Sequence, residues 1–375
     1  MSARAVQKER VAVIGGGLGG LAAALAFRRM GAEVHVHERA PEFGEVGAGI
    51  QVASNGLRVL RALGVDPGDA FLGQGTTLHD HRGTRVAILP NGPGREVRLF
   101  HRADLLKLLE EACRAAGVKV HLGHPVTPED APEADLLIAA DGVNSAFRRH
   151  VAPDLADPAF SGQAAWRAIV VPPEPIREAG VSVYMGPGAH VVVYPMRGGE
   201  LINLVAGEDT PEPQAEGWRA EVPQSELAAR LSVFGGPIAA LIERAEKVHR
   251  WGLYHHALPR RWSAGRVVLL GDSVHAMLPY LAQGACMALE DAMVLARCWE
   301  RHDDADAALG AYERIRAPRV ARVMKEVRAN ATRFHHSNAV ARFIGHGALR
   351  TVSTLAPGLV ARRFDWLYNY DATRV

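Results

Sequence analysis

Cysteine is scarce in this chain: its 375 residues include three, Cys113, Cys286 and Cys298, far apart and forming no CxxC pair. That excludes a disulfide framework and a structural zinc site, and reduced thiols of this kind predict a cytoplasmic protein. A dominant charge is also missing. With 43 basic against 41 acidic residues the formal net charge is +2, so no global field marks a partner such as nucleic acid or an anionic membrane. Residues Met1 to Arg10 mix charged and small side chains and lack the apolar segment of a secretory signal. Nor does any stretch reach the ~20 apolar residues that a spanning helix needs, because Arg28 and Arg29 close the most apolar early run. Repeats and low-complexity tracts are absent too. What remains is 48% hydrophobic and long enough for one large domain or two interlocked ones, the profile of a soluble enzyme acting on small neutral or anionic ligands.

From Arg10 the order is a short apolar run (Val11, Ala12, Val13, Ile14), glycines, an Ala- and Leu-rich segment to Met30, and a second run from Glu33 to Glu38. This is a βαβ pattern, with Gly31 where a helix C-cap is expected. Arg102 to Ala116 has helical periodicity, Val118 to Leu122 reads as a strand, and Leu136 to Ala140 as a buried one. Between about Phe160 and Trp251 several short β-rich runs are separated by Pro and Gly, predicting an antiparallel sheet. A buried strand returns at Arg266 to Leu270, so the first domain is discontinuous, and long helices follow from about Gly284. The expected architecture is α/β: a Rossmann-like domain from 1–155 and 250–330, an interlocked antiparallel-sheet domain from 156–249, and a helical tail at 331–375.

Gly15-Gly16-Gly17-Leu18-Gly19-Gly20 places GxGxxG between a strand and a helix, with Glu38 at the end of the next strand. Gly15 permits the tight turn, Gly17 lets the backbone approach a pyrophosphate, and Gly20 allows close helix packing, while the helix N-terminus offers free N–H groups to phosphates. Glu38 suits a ribose hydroxyl. Read as a turn alone the glycines need neither the flanking strand and helix nor the acid in register, and by themselves they do not separate FAD from NAD. A second ligand-facing strand end does: Val267 to Leu270 runs into Gly271-Asp272, then Pro279, Tyr280, and a helix from Gly284-Ala285. An aspartate there can accept from polyol hydroxyls, and the positive helix end suits the N1/C2 edge of a reduced isoalloxazine. Asp141-Gly142-Val143-Asn144-Ser145-Ala146-Phe147-Arg148, after the Leu136 strand, forms a DGxxSxxR arrangement.

Taken together, GxGxxG, Glu38-Arg39, DGxxSxxR and Gly271-Asp272 with Pro279 resemble the group A flavoprotein aromatic hydroxylases over nearly the whole chain. Gly47-Ala48-Gly49-Ile50-Gln51 with Asn55, His101-Arg102-Ala103-Asp104-Leu105, Ala165-Trp166-Arg167 and Phe364-Asp365-Trp366-Leu367-Tyr368 are similar to the salicylate hydroxylase and hydroxybenzoate hydroxylase branch. The resemblance implies the para-hydroxybenzoate hydroxylase-like fold, with FAD as cofactor and NADH or NADPH as co-substrate. It implies that Gly15, Gly17, Leu18, Gly20, Glu38, Arg39, Gly49, Ile50, Arg102, Asp141, Asp272, Pro279, Gly284 and Ala285 hold FAD, Asp141 to Arg148 also serving transient NAD(P)H. O2 would add at flavin C4a and one oxygen atom would pass to a small phenolic or hydroxylated aromatic substrate, N-heteroaromatics included. No metal is needed. A monomer or homodimer is expected.

Such a reaction needs water excluded and the phenol proton removed. His190 and Tyr194 are the candidates: on a strand of period two they share a face about 13 Å apart, so they could bracket a ring but not touch each other. The resemblance implies that a histidine and a tyrosine at this spacing meet the substrate phenol. Otherwise Tyr194 is an ordinary sheet aromatic and His190 an edge residue. Gln51 and Tyr280 lie in the segments expected to flank the flavin and are candidate substrate contacts. Related hydroxynicotinate monooxygenases carry histidines at these two positions, so their absence weighs against that substrate. His255-His256 and His335-His336, as adjacent pairs, form no chelating face, and His35 and His37 are expected to face outward. Arg167 and Arg197 are equally open as carboxylate partners. The competing activities are an FAD-dependent dehydrogenase or reductase of the same fold without oxygen transfer, and a nucleotide-binding regulatory module without turnover.

Overall fold

The structure is a computed structural model that describes residues 9–44, 48–68, 70–92, 94–178, 180–217, 220–334 and 362–375, with a few positions between 345 and 355. Part of the expected tail, including His335 and His336, and Gly47 of the Gly47-to-Gln51 motif lie outside the described residues.

The chain begins with β1 (Arg10–Ile14), α1 (Leu18–Arg29) and β2 (Glu33–His37). There follow β3 (Gly49–Ala53), α2 (Ser54–Ala62), β4 (Phe71–Leu72), β5 (Thr76–Asp80), β6 (Arg85–Leu89), β7 (Val97–His101), α3 (Arg102–Ala115), β8 (Lys119–His121), β9 (Leu136–Ala139) and α4 (Ala146–Val151). The middle holds β10 (Ala159–Val170), β11 (Val181–Gly186), β12 (Ala189–Met196), β13 (Leu201–Asp209), α5 (Gln224–Arg230), α6 (Pro237–Glu243) and β14 (Glu246–His255). Last come β15 (Ser263–Ala264), β16 (Val267–Leu269), α7 (Asp272–His275), α8 (Gly284–Arg301), α9 (Ala305–Phe334) and α10 (Asp365–Tyr368).

A six-stranded sheet runs β15-β16-β9-β1-β2-β8, parallel throughout except at β15. Its central strands are apolar on both faces; α1 packs on β1, β2 and β9 and carries α8 against its outer side, and Val11, Val13, Leu136, Leu137, Ile138, Val268 and Leu269 all enter one core. Since β16, β9, β1 and β2 are parallel neighbours, their C-terminal ends lie side by side. One edge therefore carries Asp272, Asp141, Gly15 and Glu38 in that order, and open α/β sheets bind ligands at this edge.

The second sheet has seven strands, β14-β10-β13-β12-β11-β5-β6. It departs from the expected boundaries in two ways. The β5–β6 hairpin comes from the stretch assigned to the first domain, yet β5 pairs in parallel with β11, and Leu78, Val86 and Ala87 bury against Val181, Val183 and Met185. And β14 crosses residue 249 without a break. Apolar residues on a short hairpin do not announce which sheet they will cover. One face of this sheet is sealed by α5 and α6, which pack Leu227, Leu231, Ile238 and Ile242 on Trp166, Val191, Leu204 and Ala206. The opposite face looks toward the flavin-type edge and the three-stranded sheet β3-β7-β4.

Candidate active site

At the end of β1 the absence of side chains is what allows the turn. Gly15 has φ +105°, and a Cβ there would lie 2.3 Å from the Ala140 carbonyl oxygen; a Cβ on Gly20 would lie 2.0 Å from the Gly15 carbonyl oxygen. Backbone oxygens cannot retreat. Gly17 differs: it caps α1, and a Cβ there would meet nothing within 4 Å. The open side of Gly17 at an uncapped helix N-terminus leaves backbone N–H groups accessible, the geometry that suits a pyrophosphate. Glu38 braces the turn. Its carboxylate accepts from the Gly16 N–H at 2.7 Å and the Ala40 N–H at 2.9 Å, and its remaining lone pairs suit a ribose. Arg39 beside it is exposed.

The DGxxSxxR segment ties two strand ends together. Asp141 accepts from the Ala146 N–H at 2.9 Å and Ser145 caps α4 by accepting from the Arg148 N–H at 3.1 Å. Arg148 then reaches across to donate to the carbonyls of Ser273 and Asp272, both at 2.6 Å, which ties the ends of β9 and β16 together. His256 is buried, adjoins Arg148 at 3.2 Å and meets Glu216 at 2.7 Å, a structural role of the kind anticipated for it. Burial raises the Asp141 carboxyl despite its hydrogen bonds to Ser145 and nearby N–H groups, and its Oδ1 is buried without a partner, pointing to an absent donor such as a bound hydroxyl.

Asp272 is exposed on the same edge, and the segment after it runs past Pro279 to α8, whose N-terminus at Gly284 and Ala285 has no side-chain cap. α8 is anchored by charge. Asp291 accepts from the Gly271 N–H at 3.0 Å, His275 at 2.6 Å and Arg316 at 2.6 Å; Glu290 pairs with Arg316 and Arg319 at 2.6 Å and accepts from Asn55 at 2.7 Å. Burial would raise the Asp291 carboxyl, but the charges of His275 and Arg316 outweigh it and hold the group at about 2. His275, Arg316 and Arg319 gave no signal in the sequence, because their partners come from distant helices.

Opposite this edge, β12 carries His190 and Tyr194 on one face. His190 pairs with Gly207 and Tyr194 with Asn203, while Val192 between them aligns through Val205 with Arg167. That face meets the first domain: a Cβ on Gly49 would lie 2.6 Å from the Tyr194 ring, and the Gly49 N–H donates to Asn203 Oδ1 at 2.6 Å. The His190 and Tyr280 rings approach to 5.3 Å between centroids. Burial pushes the Tyr194 hydroxyl well above its ordinary value, with the Arg167 charge drawing it part of the way back, and burial together with Asp209 does the same to Tyr280. Of the two arginines left open, Arg197 forks onto Asp104 at 2.6 and 2.9 Å, whereas Arg167 faces the site with its guanidinium 5.4 Å from the Trp251 ring. Gln51 and Ile50 on β3 are half-buried, as is Arg102 at the start of α3, whose N–H donates to the Ala48 carbonyl at 2.8 Å. Leu18 is buried in the first turn of α1.

One histidine reading is corrected. His37 does not face outward: it is buried, stacks on His121 at 4.9 Å and has its Nδ1 3.2 Å from that of His124, while His35 stacks on the other side of His121. The partners come from the β8 region, 84 or more residues on, so alternation along β2 alone could not reveal them. Among the described residues no cluster is built to hold a metal ion, and no helix is long and apolar enough to cross a membrane.

A glycine cradle, a row of strand-end carboxylates and an uncapped helix facing a polar sheet define a dinucleotide-type flavoprotein. Residues 8–327 match the family model for the FAD binding domain, and the chain belongs to that family. It is 36% identical over 354 residues to a 3-amino-4-hydroxybenzoate 2-monooxygenase of Streptomyces cremeus, covering 87% of this chain and 88% of the relative. It is 34% identical over 395 residues to a 3-hydroxybenzoate 6-hydroxylase of Polaromonas naphthalenivorans, covering 96% of each. Among solved structures, a salicylate hydroxylase substrate complex superposes with TM-score 0.77 at 24% identity, covering 98% of this chain and 97% of the other. Klebsiella pneumoniae HpxO complexed with FAD and uric acid gives 0.79 at 25% identity, covering 94% and 96%, and both superpositions show the fold. The protein is an FAD-dependent aromatic monooxygenase with NAD(P)H as co-substrate.

Proposed function

We propose that the enzyme hydroxylates a small phenol bearing a carboxylate, a hydroxybenzoate or aminohydroxybenzoate, between the sheet face of β12 and the flavin edge. The observation that carries this reading is the arrangement of His190, Tyr194 and Arg167 on one buried face opposite Gly49 and Tyr280. The names of the relatives favour benzoates over N-heterocycles. Arg167 supplies the cation that a benzoate requires.

FAD would be held by Gly15, Gly17, Leu18 and Gly20 at its pyrophosphate, Glu38 and Arg39 at the adenosine, Asp141, Arg102 and Asp272 along the chain, and Gly49, Ile50, Pro279, Gly284 and Ala285 at the ring. When bound it supplies the reducing equivalents and the activated oxygen. A cavity of about 250 Å3 lined by Asn144, Ser145, Arg148, Arg149 and Glu216 adjoins the DGxxSxxR segment and supports a role for that segment in docking the transient dinucleotide. The protein's own work lies in orientation and proton transfer. Tyr194, with its hydroxyl held protonated, positions the ring as a neutral hydrogen-bond partner; His190 takes the phenol proton; Gln51 and Tyr280 contact the substrate, and the closed interface excludes water.

Hydroxybenzoates, aminohydroxybenzoates and hydroxypyridines should be compared as stimulants of NADH and NADPH oxidation, with 18O2 tracing the oxygen. The expected result is benzoate-stimulated oxidation with one labelled atom in the product. Stimulation without label would establish the dehydrogenase alternative. Arg167→Met should raise KM for a hydroxybenzoate by about tenfold or more and leave the unsubstituted phenol unchanged. Tyr194→Phe and His190→Ala should each lower the hydroxylation rate and its coupling to NAD(P)H oxidation, and intact coupling in both across pH would remove them from the reaction.

A further inference from the structure

Two sequence features have no part in the proposed reaction, Asn55 and the run Phe364 to Tyr368, and the fold brings them into one cluster. α10 lies on α2, and the turn Ala372–Arg374 after it lies on α2 and α8, with Leu367 and Ala372 fully buried. This segment is held by its backbone. A helix of four residues leaves its last carbonyls without helical partners, and two arginines take them. Arg58 of α2 donates from one guanidinium nitrogen to the carbonyls of Tyr368 at 2.9 Å and Tyr370 at 3.1 Å. Arg319 of α9 donates to those of Trp366 at 3.1 Å and Leu367 at 2.9 Å, and its guanidinium lies 3.9 Å from the centre of the Tyr370 ring.

From Arg319 the cluster continues to the start of α8. Arg319 pairs with Glu290 at 2.6 and 2.7 Å, and Glu290 accepts from Asn55 Nδ2 at 2.7 Å. An ionised carboxylate only accepts, so the Asn55 amide must present its NH2 here, and the same nitrogen donates to Oε1 of Gln283, the residue before α8, at 3.0 Å. One turn of α2 is thereby tied both to the C-terminal segment and to the first residues of α8. The two helices meet without slack at Gly56, where a Cβ would lie 3.0 Å from Cys286 Sγ and 3.3 Å from Leu289 Cδ1. Because α2 starts directly after β3, any shift of α2 carries Gly49 and Ile50 with it, while Gly284 and Ala285 open α8. Gly15, Gly17 and Glu38 lie on other segments.

We propose that Arg58 is a positioning residue for the cofactor: by clasping the C-terminal segment across α2 and α8 it sets the spacing of the two segments that flank the flavin ring, and so governs how tightly the ring half of FAD is held while leaving the ADP half alone. The inference rests on the proposed placement of FAD. Arg58 itself touches neither cofactor nor substrate in that placement and acts only through the carbonyls it holds.

The test compares two ligands on the full chain stripped of flavin: FAD, titrated by flavin fluorescence, and ADP, measured as a competitor of FAD. Arg58→Met should raise the Kd for FAD by about tenfold or more, since it removes two charge-assisted bonds to the segment, and should leave the Kd for ADP within about twofold of the wild type. Arg58→Lys should recover most of the FAD affinity, because an ammonium group can also donate to both carbonyls. If Arg58→Met does not fold, Tyr370→Leu, which takes the ring away from Arg319 on the other side of the same segment, carries the same selective loss. Unchanged FAD affinity in the folded variants, or an equal loss for FAD and ADP as expected of general loosening, overturns the proposal. Selective loss of FAD affinity in an enzyme that turns over no hydroxybenzoate would sink the proposed reaction and leave this inference standing, whereas a wild type in which ADP does not compete with FAD would overturn the placement of FAD and this inference together.

Discussion

At the end of β1 the chain turns on Gly15 and Gly20, where any side chain would strike a backbone oxygen. At the end of β16 it turns on Gly271 at φ +67° and is then held by Asp291, whose other contacts are His275 and Arg316. The first strand end is fixed by missing atoms and the second by buried charges. The proposed placement of FAD accounts for the contrast: a pyrophosphate would approach the backbone itself, whereas a ring-facing loop would be kept in place from behind by groups that never touch the ligand.

The largest effect should come from putting atoms where none fit. Gly20→Ala should yield no folded holoenzyme, read as loss of soluble FAD-loaded protein, since a cost beyond about 4 kcal/mol is of the order of the whole stability. Next is the charged anchor. Arg316→Met leaves Asp291 with His275 alone and Glu290 with Arg319 alone, and should cost about 3–5 kcal/mol in denaturant unfolding. Gly17→Ala separates binding from folding: apo Tm should stay put while FAD affinity falls by about ten- to a hundredfold, measured by flavin fluorescence. A similar drop in apo Tm would show that Gly17 is packing and not cradle.

The smallest effect concerns pH. Burial, then the charges of His121, His124 and His35, lower His37 from 6.5 to about 4. It is neutral in the fold, while the unfolded chain takes up a proton from 6.5 downward, so its stabilisation is complete above pH 6.5 and is lost as pH falls toward 4. Lys119, whose charge acts on His121, and Glu33, which pairs with His35, also face the cluster. His37→Asn should flatten the fall in unfolding free energy between about pH 7 and about pH 5 by about 1–2 kcal/mol, solvent screening having reduced the full shift.

The sequence is most readable where chemistry depends on neighbours along the chain. GxGxxG, the strand before it, the helix after it and Glu38 are consecutive, so the strand–turn–helix and the steric demand at Gly15 and Gly20 are visible there. The even spacing of His190 and Tyr194 likewise fixed their common face, and the structure keeps it. What stayed hidden was assembled from a distance: the β5–β6 hairpin crossing to the second sheet, Arg316 and Arg319 reaching back to α8, the four-histidine stack, and the pairing of Arg197 with Asp104. In each case the local pattern matched two destinations, and only the packing of another element decided between them.

The strand order also dictates when the molecule can form. β16 borders β9, and β9 borders β1, so the sheet that carries the cofactor edge stays incomplete until residues near 269 have been made, after every strand of the second sheet. The second sheet itself waits on β11 to receive a hairpin made about a hundred residues earlier. The second sheet can therefore close ahead of the first, and such non-local pairing makes refolding slow and exposes unpaired β5 and β9 edges during synthesis, when dilution and bound flavin would favour the native route over aggregation.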